Sequence, residues 1–188
     1  MGYRYFDTFL VPVRYGFGYG MSYTDFVITA GKVSISNPGT MDSKVSVEVT
    51  VKNTGDTYAG KEVVQIYIEA PQGKLGKPVR TFAGYAKTKE LAANESENIS
   101  ISCPKSYFAS YDDAGITGHK SAFVLEAGEY KVYVGNSVAK AQCIGSFSQE
   151  FQVIEQLEEA LAPIEEFERM HPVSENIEEQ TVENSNDN

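Results

Sequence analysis

The chain of 188 residues has no tryptophan, only two cysteines and two histidines, and no run of eighteen apolar residues. Each shortage excludes something. A bilayer-spanning helix takes about 20 consecutive apolar residues, so no helix of this sequence crosses a membrane. Cys103 and Cys143 stand forty residues apart, and His119 and His171 fall in different segments. A structural zinc site needs four such ligands at tight spacing, so no metal is expected. The cysteines are expected as reduced, partly buried thiols, with a disulfide between neighbouring strands open only in an oxidising compartment. No succession of charged, apolar and small residues opens the chain as a secretory leader would.

Basic stripes are missing as well, and a nucleic-acid partner requires clustered Lys and Arg to neutralise phosphates. The net charge of −10 sits at one end. Residues 154–188 hold eleven acids and one base, and residues 1–153 hold fifteen of each. The globular part is therefore neutral and the tail acidic. From Val173 onward, low hydrophobicity with this charge predicts disorder. Ahead of it, Ile154, Leu157 and Leu161 fall at helical spacing, and Pro163 would stop a turn or two of helix.

What the chain has is β pattern. Val45, Val47, Val49 and Val51 alternate with polar residues, the period of two of a half-buried strand. Asn37-Pro-Gly39 and Asn53-Thr-Gly-Asp56 punctuate as turns. Val64, Ile66 and Ile68 share one face of the next run while Val63 and Tyr67 take the other, as in a central strand or one covered from outside. Ile99, Ile101 and Cys103 alternate until Pro104. Tyr107–Asp113 and Lys120–Leu125 read as shorter strands, Tyr130, Val132 and Val134 as another, and a final run holds Phe147, Phe151 and Val153. About seven short strands with no helix long enough for a crossover predict an all-β, antiparallel sandwich. Gly2–Leu10 alternates aromatic and polar residues and suits a strand or irregular extended arm, which Pro12 ends.

The densest feature is Arg14–Phe26, with five aromatics and three glycines in thirteen residues. Glycine is costly inside regular structure, so this is a sharp corner packed by rings. Arg14, Tyr15, Phe17, Tyr19 and Tyr23 are the candidate functional residues, either as an interface between structural units or as a rim presented to a ligand.

The same stretch carries a resemblance. Gly2-Tyr-Arg-Tyr-Phe-Asp7 and Phe17-Gly-Tyr-Gly-Met-Ser-Tyr-Thr24 resemble the junction in glycoside hydrolase family 3, the β-glucosidase family, where an α/β sandwich domain passes into a fibronectin type III-like domain. The family usually has Pro where Gly16 stands, which implies a looser corner here. Val51-Lys-Asn-Thr-Gly-Asp56, Ala59-Gly-Lys-Glu-Val-Val-Gln-Ile-Tyr67, Phe82-Ala-Gly-Tyr-Ala-Lys87 and Gly128-Glu-Tyr-Lys-Val-Tyr-Val-Gly135 resemble, in order, that second domain. The resemblance implies an immunoglobulin/fibronectin III-like sandwich over 24–153. It makes residues 1–23 the end of a truncated α/β domain with the interdomain corner, and 154–188 an acidic linker or tail. Leu161–Met170 faintly resembles the connector of members whose catalytic barrel follows the other domains.

A retaining glycosidase needs two carboxyl groups about 5 to 5.5 Å apart. In the resembled family the nucleophilic Asp lies on the barrel and the acid/base Glu on the α/β domain, and neither motif matches any residue here. The chain is therefore expected to be inactive alone, with no catalytic residue and no cofactor. Asp112-Asp113 reads as a loop cap rather than an acid pair, since neighbours in an extended chain point to opposite faces. The resemblance implies an accessory docking domain whose partners are the α/β sandwich and barrel domains of a β-glucosidase, with β-glucosides met only in the full enzyme, in a bacterial cytoplasm. The alternative is an independent carbohydrate-binding or adhesion module: sugars dock on aromatic platforms, and twelve Tyr supply aromatic surface in the absence of Trp.

Overall fold

Alternating valines make a strand only if something covers their apolar face, and here a second sheet does. The computed structural model describes residues 2–160, 164–165 and 169–172. It contains a short helix α1 (Tyr3–Thr8) and ten strands: β1 (Phe26–Ser36), β2 (Lys44–Asn53), β3 (Val63–Glu69), β4 (Thr81–Lys87), β5 (Ser96–Pro104), β6 (Ser110–Asp112), β7 (Ala122–Leu125), β8 (Gly128–Gly135), β9 (Gln142–Gln149) and β10 (Gln152–Gln156). A three-stranded sheet in the order β1-β2-β5 faces a four-stranded sheet in the order β4-β3-β8-β9. All pairs are antiparallel. The all-β sandwich read from the sequence is the observed fold.

Val45, Val47, Val49 and Val51 are buried against Val64, Ile66 and Ile68 of β3 and Val132 and Val134 of β8. Each such side chain contributes about 1.5–3 kcal/mol by leaving water. The β3 strand lies between β4 and β8. Five consecutive residues, Val64 to Ile68, are buried, so its second face is covered as well.

A third sheet, β10-β7-β6, packs Ala122, Val124 and Val153 around Leu75. The loop carrying Leu75 is tied down by Glu126, which accepts from the N–H groups of Lys74 (2.6 Å) and Leu75 (3.1 Å) and pairs with the buried Lys77 ammonium. Lys77 also donates to the carbonyls of Pro71 and Leu75. Asp112, fully buried, caps the loop after β6 by accepting from the N–H groups of Gly115, Ile116 and Thr117 and from the Thr117 hydroxyl. Burial pulls its carboxyl up, but these four donors together hold it below its ordinary value of 3.8.

Three local expectations are corrected. Gly2–Leu10 is not a strand or extended arm at its centre but helix α1, for a reason given below. Ile154 lies in strand β10 rather than a helix, because the free edge of β7 pairs with Gln152–Gln156 and a one- or two-turn helix has little stability of its own. Tyr107–Asp113 is not one strand: a 3-10 turn, Lys105–Phe108, precedes the short β6. The disorder expected from Val173 onward, and the helical position of Leu161, lie outside the described residues.

Candidate interdomain surface

Six residues of helix with no side-chain cap are unstable alone, so α1 exists because the sandwich holds it. Tyr3 and Asp7 are four apart and share a helix face, about 6 Å from each other. Arg80 and Phe82 are two apart in extended chain, at nearly the same spacing. The two pairs meet. The Arg80 guanidinium donates twice to Asp7, at 3.1 and 2.8 Å, and the Phe82 N–H donates to the Tyr3 hydroxyl at 2.6 Å. Beside them the Val79 N–H donates to Thr8 Oγ1 at 3.1 Å, and Thr8 is buried. A strand would have spread Tyr3 and Asp7 too far apart for this match.

The corner is laid over the same face. Phe17 stacks on Tyr3 with ring centroids 4.6 Å apart and meets Phe82 edge-on at 5.7 Å. Tyr67, on the outward face of β3, meets both Tyr3 and Phe82 edge-on. Burial, reinforced by the neighbouring Tyr3, pushes the Tyr67 hydroxyl far above its ordinary range, and it donates to Gln65. Gly18 has φ +84° and lies so close to Gln65, Asn136 and Ser137 that any Cβ would come within 2.9 Å of all three. The Val138 N–H donates to the Phe17 carbonyl at 3.0 Å. At the far end of the corner the fully buried Asn53 accepts from the Thr24 hydroxyl at 2.5 Å and from the Gly55 N–H, and donates to the carbonyls of Tyr58 and Leu91.

The five candidate residues divide. Phe17 is turned toward Tyr3 and Phe82. Tyr15 and Tyr19 lie against each other at 4.9 Å, with the Arg14 guanidinium 5.7 Å over the Tyr15 ring. Tyr23, 92% exposed, stands apart near Tyr58. Outside them, Phe6, Leu10, Val11, Val13 and Val138 complete an open apolar cleft of about 560 Å³. Most of these side chains are exposed, a contiguous patch of the kind that marks an interaction site. Sequence reasoning missed Tyr3, Asp7, Arg80 and Phe82, whose signal was the shared spacing of the two pairs.

Among the described residues, two carboxylates near this surface are already engaged. Asp7 is committed to Arg80. Glu69 accepts from Lys131 (2.8 Å) and from the Tyr133 hydroxyl (2.5 Å), and burial with that bond raises the Tyr133 hydroxyl. Among the described residues no three His, Cys, Asp or Glu side chains cluster as metal ligands.

Comparison with known proteins fits this geometry. The family model for the fibronectin type III-like domain matches residues 62–138. A β-glucosidase of Ruminococcus albus is 48% identical over 180 residues, 94% of this chain but 18% of that protein. The crystal structure of a β-glucosidase from Paenibacillus barengoltzii superposes with a TM-score of 0.85 at 46% identity, over 92% of this chain and 19% of that one. The sandwich is a fibronectin type III-like domain of glycoside hydrolase family 3. β-Glucosidase A of Butyrivibrio fibrisolvens is 40% identical over 182 residues, 87% of this chain and 21% of its own length. The fibronectin type III-like chain thus spans about a fifth of the relatives it matches, and those relatives contain further domains.

Proposed function

We propose that this chain works as a non-catalytic accessory domain of a β-glucosidase-like glycoside hydrolase, docking through α1 and the Arg14–Tyr23 corner onto the α/β sandwich domain of the enzyme. In this reading residues 1–23 are the boundary segment, 24–153 the accessory domain and 154–188 the linker. The carrying observation is that α1 is fastened to the sandwich on one side while Phe6, Leu10, Val11, Val13 and Tyr15 remain bare on the other. A patch of this size on a neutral body has the composition of half an interface. The restored enzyme would hydrolyse terminal β-glycosidic bonds with a retaining pair of carboxylates supplied by its other domains.

The test is complementation. The Ruminococcus albus β-glucosidase, with its matched segment deleted, is co-expressed with this chain. The expected result is co-purification and recovery of β-glucosidase activity, both abolished by Phe6→Asp with Tyr15→Asp. Failure of the folded wild-type chain to associate with the folded remainder would overturn the docking role.

A further inference from the structure

A second cleft lies beside Arg4 of α1. About 500 Å³ in volume, it is bounded by Arg4 of α1, Thr81 at the start of β4, Tyr107 and Ser110 around the 3-10 turn, and Tyr111 and Phe123 of the third sheet. That size is ordinary for a small-molecule site. We propose that this cleft binds a neutral oligosaccharide, a property separate from docking through the apolar face.

The composition of the walls selects the ligand. Tyr107 is 64% and Tyr111 38% exposed, and the Tyr111 ring packs at 5.2 Å on Phe123, so flat aromatic surface is held open to solvent on a rigid base. Aromatic rings with polar tips suit a partner that is apolar on one face and hydroxylated at its edge, as a pyranose is. The hydroxyls of Thr81, Tyr107, Ser110 and Tyr111 make no hydrogen bond among the described residues, leaving a set of donors and acceptors within one cleft.

Charge narrows the choice. Of the ionised side chains in the wall, Asp113 is paired with Arg169, Lys77 with Glu126, and Glu159 with Lys120. Arg4 alone has no ion pair among the described residues, and it is exposed. One guanidinium is too few for a phosphate-rich or polyanionic ligand. Its fork of N–H donors matches two neighbouring hydroxyls. A lipid chain would find too many hydroxyls in these walls.

The experiment is a ¹H–¹⁵N NMR titration of the full chain with cellotetraose to about 10 mM, the range of weak saccharide affinities. Saturable shifts confined to residues around 81, 107–113 and 123 are expected. Arg4→Ala and Tyr107→Ala, both at exposed positions and checked for unchanged melting temperature, should weaken binding at least about tenfold, the scale of one lost stacking or charged hydrogen-bonding contact. Tyr107→Phe, which keeps the ring, should retain most of the affinity. The proposal is overturned by an absence of shifts, by shifts confined to the Phe6–Leu10 cleft, by Tyr107→Ala binding as well as wild type, or by tetragalacturonate binding more tightly than cellotetraose.

Discussion

At the residue scale the two thiols answer differently to being buried. Cys103 is 1% exposed in the sandwich core, and burial pushes its thiol up from 9.0 to about 11; Cys143, on β9, is exposed. The folded state therefore holds a proton that the unfolded chain gives up between about pH 9 and pH 11. That contribution to stability is complete below pH 9 and is lost as pH rises, and by pH 11 the loss amounts to about 2 kcal/mol. Urea unfolding at pH 8 and pH 11 should show a fall that is smaller by about this amount in Cys103→Ala. The raised hydroxyls of Tyr67, Tyr130 and Tyr133 act in the same direction at higher pH. A thiol reagent at pH 8 should modify Cys143 rapidly and Cys103 only at the rate of opening. The sequence offered both thiols as partly buried. Two strand residues of one type differ in this way because β5 turns Cys103 inward, whereas β9 leaves Cys143 on its outer side.

At the scale of elements, α1 is held by side chains rather than by its own backbone. Asp7→Ala and Arg80→Ala should each destabilise, and a double-mutant cycle should return a coupling of about 1 kcal/mol, as for a well-formed, partly shielded bidentate pair. Amide exchange in Tyr3–Thr8 should accelerate in either variant while β2 and β3 stay protected. The elements legible in the sequence were those whose pattern is set by one covering surface. Val45–Val51 announces β2 because one face meets the core and the other meets water, and Asn53, Pro104 and Gly135 close their strands with ordinary turn chemistry. The illegible elements owe their form to partners far along the chain. Residues 3–8 become helical to reach Arg80 and Phe82, and 152–156 become a strand because β7 has a free edge. The candidate surface was half legible for the same reason: the rings of the corner are conspicuous in the sequence, while the polar residues that seat them are ordinary in isolation.

Over the whole molecule, a neutral body with a bare apolar face is joined to an acidic tail. Residues 1–160 carry eighteen acids and fifteen bases, a balance of −3, against −10 for the full chain. Charge of one sign keeps apolar patches apart in solution. A chain ending at Ala160 should self-associate at lower concentration than the full chain at low ionic strength, as read by light scattering, and Phe6→Asp with Tyr15→Asp should reverse the effect. The two-sided burial of β3 reaches further. Gln65 is approached by Gly18 and Tyr67 by the Tyr3 ring, both from upstream of the first strand, so the sandwich has no natural seam at Phe26. Anyone transplanting it into a chimeric enzyme, or recombining it between homologues, should place the crossover upstream of Tyr3. Splicing at the first strand would separate β3 from its own cladding and carry a wet tyrosine face into the hybrid.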